Sequence, residues 1–417
     1  MPFRYAAING WYYTSAPSPR SIPQLLIPAL LRSRGKVLWV VYNALARVSF
    51  DPVGADRALL RRLADSWRHE LLPRYQRVVA DGEARVASAS TAELEALISA
   101  LGGLAGEYLW SLAIVGGSAW KMEGALARFL HEKHVPTDAY GSVQVLLRGL
   151  SDDDLQPPAH AVQSVDWYWP TSGELEWTRT QGGQGDRRAT LAAERRTAAT
   201  ACRAALAGDP SITARFDRLL AVAQRYAHLR EEQAGWFTLA WPLLRRCVVR
   251  VGDALRADAR LKRGEDVFFL LRSELRGREP VCDAVSRRRA DWERQRRLVA
   301  PLTLGTAPRL MEATLAGVVN AVRTSGQLSE ASIVGQPASP GRATGLVRIV
   351  QCAEDFERFQ AGEVLVAKAT APAWTPLFAR AAAVVTDGGT LAAHASLVAR
   401  EYGIPAVVGT GDATQRL

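Results

Sequence analysis

Near residue 330 the hydrophobic pattern of this chain changes period, and that change limits what it can fold into. Upstream, from about residue 50, apolar residues recur at three- and four-residue spacing, as in "DRALLRRLADSWRHELLPRYQRVVADGEARV". That spacing marks helices buried along one face. "STAELEALISALGGLAGEYLWSLAIV" opens with Ser90 and Thr91 ahead of Glu93, a helix N-cap pattern. A longer helical region runs from "DPSITARF" through "ALRADARL", where Pro242 is expected to kink or divide it. The stretch "DDDLQPPAHAVQSVDWYWPTSGELEWTRTQGGQGDRR" breaks the pattern with Pro, Gly and Ser and reads as an irregular segment. Downstream, "EVLVAKAT", "AAAVVTD" and "IPAVVG" are short β-branched runs. They are separated by the helix-like "WTPLFARAA" and "AHASLVAREYG". Strands alternating with short helices and glycine turns predict a compact α/β unit. The expected fold is therefore multidomain α and α/β, a large mainly helical unit over 1–328 followed by a small α/β unit over 329–417.

Composition narrows the function classes. The 417 residues are 48% hydrophobic and carry a formal charge of +10, enough apolar material for sizeable cores. No uninterrupted apolar run reaches the roughly 18 to 20 residues of a membrane helix. The start, "MPFRYAAINGWYY", lacks the layout of a signal peptide, and a cytoplasmic, membrane-free setting is expected. Cys202, Cys247, Cys282 and Cys352 are widely spaced, which argues against a disulfide framework or a zinc site. The positive charge is almost all arginine. Clusters such as "RRRADWERQRR" alternate with acids and read as an exposed helix face, with no nucleic-acid motif beside them. Arginines facing a phosphorylated group fit the same bias.

Several local patterns invite chemistry and fall short of it. "GGQGDRR" lacks the Gly-Lys-Ser/Thr ending of a phosphate loop. "VGGSAW" lacks the second glycine of a nucleophile elbow. His131 and His134 stand near each other in "HEKH" without an evident third metal ligand, so no metal is expected. "DGGTLAAH" is different. Gly388 and Gly389 follow a strand where the chain must turn tightly, and a helix is predicted to begin near Ala392 or Ala393. His394 then lies in the first turn, where unpaired N–H groups and the positive dipole end gather. Such a place suits an anion, and a neutral ring nitrogen there can attack phosphorus. The other reading is a buried structural histidine. Gly403 is a natural left-handed cap for that helix, and Pro405 stops its continuation.

The motifs "SPGRATG", "GEVLVAKATAPAWTPL", "VVTDGGTLAAH" and "ASLVAREYGIPAVVG" together resemble the swivelling phosphohistidine domain of the phosphoenolpyruvate-utilising enzymes. That family includes phosphoenolpyruvate synthase, pyruvate phosphate dikinase and rifampicin phosphotransferase. The resemblance implies that His394 is phosphorylated and carries the phosphoryl group between sites. It implies Gly388, Gly389, Thr390, Ala395 and Arg230 as groups supporting the phosphate, with Arg400 in a similar or a purely structural role. The stretch "RYAHLREEQAGWF" through "EDVFFLLRSEL" resembles, more loosely, the helical acceptor domain of rifampicin phosphotransferase-like members. There Arg230 matches an arginine of an Arg-Glu-x-x-Lys group, while Ala234 stands in place of its lysine. Ala393 likewise stands where the family usually has Ser or Thr.

No segment resembles an ATP-grasp domain. ATP and Mg2+ are therefore expected on a separate ATP-grasp partner, with no cofactor held by this chain, and the α/β unit is expected to be C-terminally incomplete. The acceptor is expected to be a hydroxyl of a small molecule, in antibiotic modification or natural-product biosynthesis. Trp110, Trp120, Trp167, Trp169 and Trp236 are candidates to line its pocket, with core packing as the other reading of each. A binding or regulatory protein that has kept the fold is the alternative that Ala393 and Ala234 favour.

Overall fold

In a computed structural model of the chain, residues 4–9, 11–15, 27–28, 31, 36–135, 143–150, 158–162, 167–174, 185–275, 277, 279–295, 298, 304, 332–389 and 393–417 are described. The chain is mostly helical, with a small mixed sheet near its C-terminal end. The expected boundary at 325–335 falls mainly outside the described residues, as does Thr390.

The chain opens with an antiparallel hairpin, β1 (Arg4–Ile8) and β2 (Trp11–Ser15). A helical run with π-type turns spans 52–85 and ends in α1 (Leu72–Arg85). Helix α2 (Thr91–Ile114) starts at the predicted place. Ser90 Oγ accepts from the Glu93 N–H, and the Glu93 carboxylate accepts from the Ser90 N–H at 2.8 Å. Helix α3 (Ala119–Glu132) follows after a single 3-10 turn, Gly116–Ser118. Together, 91–132 form a stretch long and apolar enough, by length and composition, to cross a membrane. Counting only unbroken apolar runs overlooked it. In the fold it is two helices whose Leu101, Tyr108, Met122 and Leu126 enter the helical core.

Helix α4 (Gly185–Ala205) leads into α5 (Pro210–Phe237), and α6 (Trp241–Ala257) comes next. Pro242 divides the long region as predicted, because proline fits the first turn of a new helix and not an interior. The "EDVFFLLRSEL" stretch is less helical than its surroundings suggest. It forms two 3-10 turns, Gly264–Phe269 and Arg272–Glu274, with Leu270 and Leu271 extended between them. Helix α7 (Cys282–Gln295) explains why. Its Arg289 reaches Asp266 at 2.5 Å, and Arg288 grips both oxygens of Glu274. Trp292 packs against Tyr168 and Trp169. The arginine cluster is thus partly a structural clamp rather than only a solvated face.

The sheet contains β3 (Gln336–Ser339), β4 (Val347–Ile349), β5 (Val364–Ala367), β6 (Ala383–Thr386) and β7 (Ala406–Val408) in the order β3-β7-β6-β5-β4. β4 to β7 pair in parallel and β3 runs antiparallel at one edge. Helix α8 (His394–Tyr402) crosses from β6 to β7. Gly403 caps it at φ 60°, its N–H bonding to Arg400 O. The Ile404 N–H bonds to Ala399 O at 3.0 Å, and Ile404 is buried beneath the turn. "WTPLFARAA" shortens to a 3-10 turn, Pro372–Trp374, and one helical turn, Thr375–Phe378.

Buried apolar side chains form two clusters, one from Ala44 to Val285 and one from Ala338 to Val408. Between them the helical and sheet parts touch. The Ala373 N–H donates to Val162 O at 3.3 Å, and the Leu150 N–H to Glu401 Oε1 at 3.3 Å. Helix α8 packs on α4.

Candidate functional site: a histidine at the carboxyl edge of the parallel sheet

Parallel strands deliver their carboxyl ends to one edge of a sheet, where the following loops gather. Here β5 runs out towards Thr370, and β6 runs out through Gly388 and Gly389 to His394. Ala393 is extended (φ −72°, ψ 157°) and His394 is the first helical residue. The helix therefore begins a residue or two later than expected. The N–H groups of His394 and Ala395 open the helix, at positions that have no acceptor within the helix itself. Ala393 provides no side-chain cap.

The imidazole is held from two sides. Its Nδ1 lies 2.9 Å from Thr370 Oγ1, while Nε2 lies 3.5 Å from Thr375 Oγ1, at the outer limit of a hydrogen bond. Thr375 already donates its only hydroxyl proton to Pro372 O at 2.7 Å. Thr375 Oγ1 is therefore left only as an acceptor, while Thr370 Oγ1 can donate to Nδ1 or accept from it, so these contacts hold the ring without fixing its tautomer, and Nε2 is the more loosely held nitrogen. Phe378 packs edge-on against the ring at 5.8 Å between centroids. Burial, and after it the Arg230 guanidinium, push the His394 pKa down to about 3. The ring is neutral across the physiological range.

Arg230 comes from α5, on the helical part. Burial lowers its pKa, with Glu231 opposing that shift and Arg400 adding to it. The Glu231 carboxyl is raised to about 7, first by burial; Arg230 and Arg400 oppose this and Glu401 adds to it. The site thus joins residues from both parts of the chain.

The predicted supporting residues separate. Gly388 does not offer its N–H to an anion, because that N–H bonds to Lys368 O at 2.9 Å. Gly389, at φ 112°, makes the turn, and a Cβ there would press on Ala393. Ala395 is buried directly after His394. Arg400 is 2% exposed, and its bonds run to Ala338 O and Glu123 rather than to the histidine. The tryptophans do not share one environment. Trp110 and Trp120 are about half exposed, and Lys121 lies over the Trp120 ring. Trp167 packs on the helical core, and Trp169 belongs to the cluster around Trp292. Trp236 stacks on His160, whose Nδ1 is 3.3 Å from Thr238 Oγ1. Among the described residues no metal-binding cluster forms around His131 and His134. Thr370, Thr375, Phe378 and Glu231 were not singled out from sequence. All but Phe378 are polar residues inside stretches quoted for other reasons, and only the fold shows which face the histidine.

Two predictions follow from this geometry. Thr370→Val is expected to slow phosphorylation of His394 about tenfold, since one hydrogen bond that orients the ring is lost. The loading rate with a small phosphoryl donor measures this, and an unchanged rate contradicts the role given to Thr370. For Glu231, the folded pKa of about 7 exceeds the ordinary carboxyl value of 4.5. The folded state therefore binds the extra proton between those values, and stability falls as pH rises from about 4.5 to about 7. Glu231→Gln is expected to stabilise the chain at pH 8 by roughly 1 to 3 kcal/mol and to have little effect at pH 4.5. Urea unfolding at both pH values tests this; a difference that does not change with pH contradicts it.

The comparisons bear on the same region. A model of the mobile domain of PEP-utilising enzymes matches residues 359–417. An uncharacterised phosphotransferase of Bacillus subtilis (strain 168), YvkC, is 34% identical over 214 residues, covering 50% of this chain and 26% of its own. Rifampicin phosphotransferase of Streptomyces sviceus is 34% identical over 157 residues, covering 37% of this chain and 17% of its own. Phosphoenolpyruvate synthase of Aeropyrum pernix is 52% identical over 89 residues, covering 21% of this chain and 11% of its own. The chain thus spans about a quarter or less of the length of these relatives. Over residues 359–417, which hold the His394 helix and the strand after it, the chain is similar to the mobile domain of PEP-utilising enzymes, and the relatives it matches are phosphotransferases and phosphoenolpyruvate synthases.

Proposed function

We propose that this chain is a phosphotransferase component in which His394 carries a phosphoryl group to a hydroxyl of a small molecule held by the helical part. The observation that carries this reading is a neutral histidine at a helix N-terminus, with an arginine from the other part of the chain acting on it. A separate ATP-grasp partner that binds ATP and Mg2+ supplies the phosphoryl group, in a cytoplasmic setting. Gly389, Ala395 and Arg230 support the transferred group, and Trp236, about one and two-thirds turns beyond Arg230 on α5, is the tryptophan assigned to the acceptor. The similarity to rifampicin phosphotransferase, and to the chondramide synthase of Chondromyces crocatus at 34% over 247 residues, supports a natural product as acceptor.

In loading, Nε2 of the Nδ1–H tautomer attacks the donor's phosphorus while the bond from phosphorus to the donor's leaving group breaks and that group departs with the electron pair. In transfer, the acceptor oxygen attacks phosphorus, the P–N bond breaks, and the hydroxyl proton passes to water. The ring leaves as the neutral Nδ1–H tautomer. Arg230 offsets the charge on the equatorial oxygens in both directions. The second reading is a binding protein that has kept the fold; Ala234 on α5 and the uncapped Ala393 favour it. Chemical phosphorylation with phosphoramidate, followed by a panel of natural-product alcohols, separates the two. A phosphomonoester that forms while the histidine label decays supports the carrier. A label that decays at the same rate with and without every alcohol supports the binding protein.

A further inference from the structure

The seam between the two parts holds one ion pair that neither core requires. Arg400 lies in the last turn of α8, and its Nη1 donates to Glu123 Oε2 of α3 at 3.1 Å. Its Nε donates to Ala338 O of β3 at 2.7 Å. Both residues are buried, Arg400 at 2% and Glu123 at 8% exposure. A buried pair offsets its desolvation only when its remaining donors and acceptors are also satisfied. Here they are not. Arg400 Nη2 and Glu123 Oε1 have no hydrogen-bond partner among the described residues. The pair is therefore a poor source of stability, and its geometry suggests a different use.

Helix α8 is short and rigid. Six residues separate His394 from Arg400, about 9 Å along the axis. The contacts made by the helical part gather at the Arg400 end: Glu123 on Arg400, the Leu150 N–H on Glu401, and Leu191 beneath Gly403. Helix α3, which carries Glu123, packs against α5, which carries Arg230. The charges of Glu123 and Arg400 both act on Arg230, and Arg230 acts on His394. Fixing one end of α8 against α3 thus fixes where the other end stands against α5.

We propose that Glu123 is a positioning residue for phosphoryl transfer: through Arg400 it holds α8 docked on the helical part so that His394 faces Arg230. This rests on the reading of His394 as the phosphoryl carrier. Loading by a small donor does not need the docked arrangement, whereas docking does need the pair.

The test uses the full chain and Glu123→Gln, which keeps the shape and removes the charge. Circular dichroism checks the fold, phosphoramidate loads His394, and amide hydrogen exchange reports docking at Leu150 and along α4. The His394 ring signals are followed by NMR as the pH is varied. The variant is expected to load within twofold of wild type and to exchange at least tenfold faster at Leu150 and α4. Its His394 ring is expected to titrate upward from its depressed value towards 6.5. Glu123→Asp, which restores the charge, is expected to recover most of the protection. If Glu123→Gln does not fold, Arg400→Lys is read by the same signals and is expected to show the same loss of protection. Normal loading with unchanged exchange and titration overturns the role of Glu123 and leaves the carrier reading standing. A wild-type chain that takes no label at His394 overturns the carrier reading and the positioning role with it, whatever the exchange shows.

Discussion

Replacing His394 with asparagine is expected to lower acid-labile phosphorylation of the chain by at least about 10³-fold. Asparagine places its amide nitrogen near the position of Nδ1, so the bond to Thr370 can re-form and the local fold is preserved. It has no counterpart of Nε2, the more loosely held ring nitrogen. The ring is neutral because burial and Arg230 hold its pKa near 3, so loading of the wild type is expected to show no inflection near 6.5. Label incorporation at pH 5.5 and pH 8 measures both points. Equal labelling of wild type and variant contradicts the assignment of the nucleophile.

The second large effect is expected at Arg230. Removing a preorganised charged donor from a site of developing negative charge slows a reaction by about 10² to 10³-fold. Arg230→Ala is expected to slow transfer from phosphohistidine to the acceptor by that amount. Arg230→Lys is expected to recover only part of the loss, because a point charge does not match two phosphate oxygens as a guanidinium fork does. The variant also removes the second cause of the His394 shift, so the ring pKa is expected to rise while burial still holds it below the ordinary value. Single-turnover transfer and NMR titration of His394 measure the two effects separately. Transfer at the wild-type rate contradicts the role of Arg230.

The features read correctly from sequence are those fixed within one or two turns of chain. Ser90 and Glu93 cap α2, Pro242 starts α6, and Gly403 with Ile404 closes α8 because each depends on neighbours three to five residues away. The position of His394 at the helix start was legible for the same reason. Its partners were not, because Thr370 and Thr375 are brought to it by the parallel pairing of β5 with β6. The Arg400–Glu123 pair joins residues 277 positions apart, and no local pattern announces it. The sequence therefore leaves Arg400 between a phosphate-supporting and a structural role, and its bonds run to the seam. The opening hairpin was legible and overlooked: Asn9–Gly10 between aromatic runs is a turn signal, and Asn9 adopts φ 50°. The shortening of "EDVFFLLRSEL" depends on Arg288 and Arg289 from a later helix, so its local composition was misleading.

The central claim is that His394 Nε2 carries phosphorus, and the most direct measurement is ³¹P NMR of the loaded chain combined with mass-spectrometric mapping of the modified peptide under neutral conditions. The account predicts one acid-labile phosphoramidate resonance, correlated with the ring proton adjacent to Nε2, on the peptide that contains His394. An acid-stable phosphoester, a label on another histidine, or no label on the folded chain would contradict it.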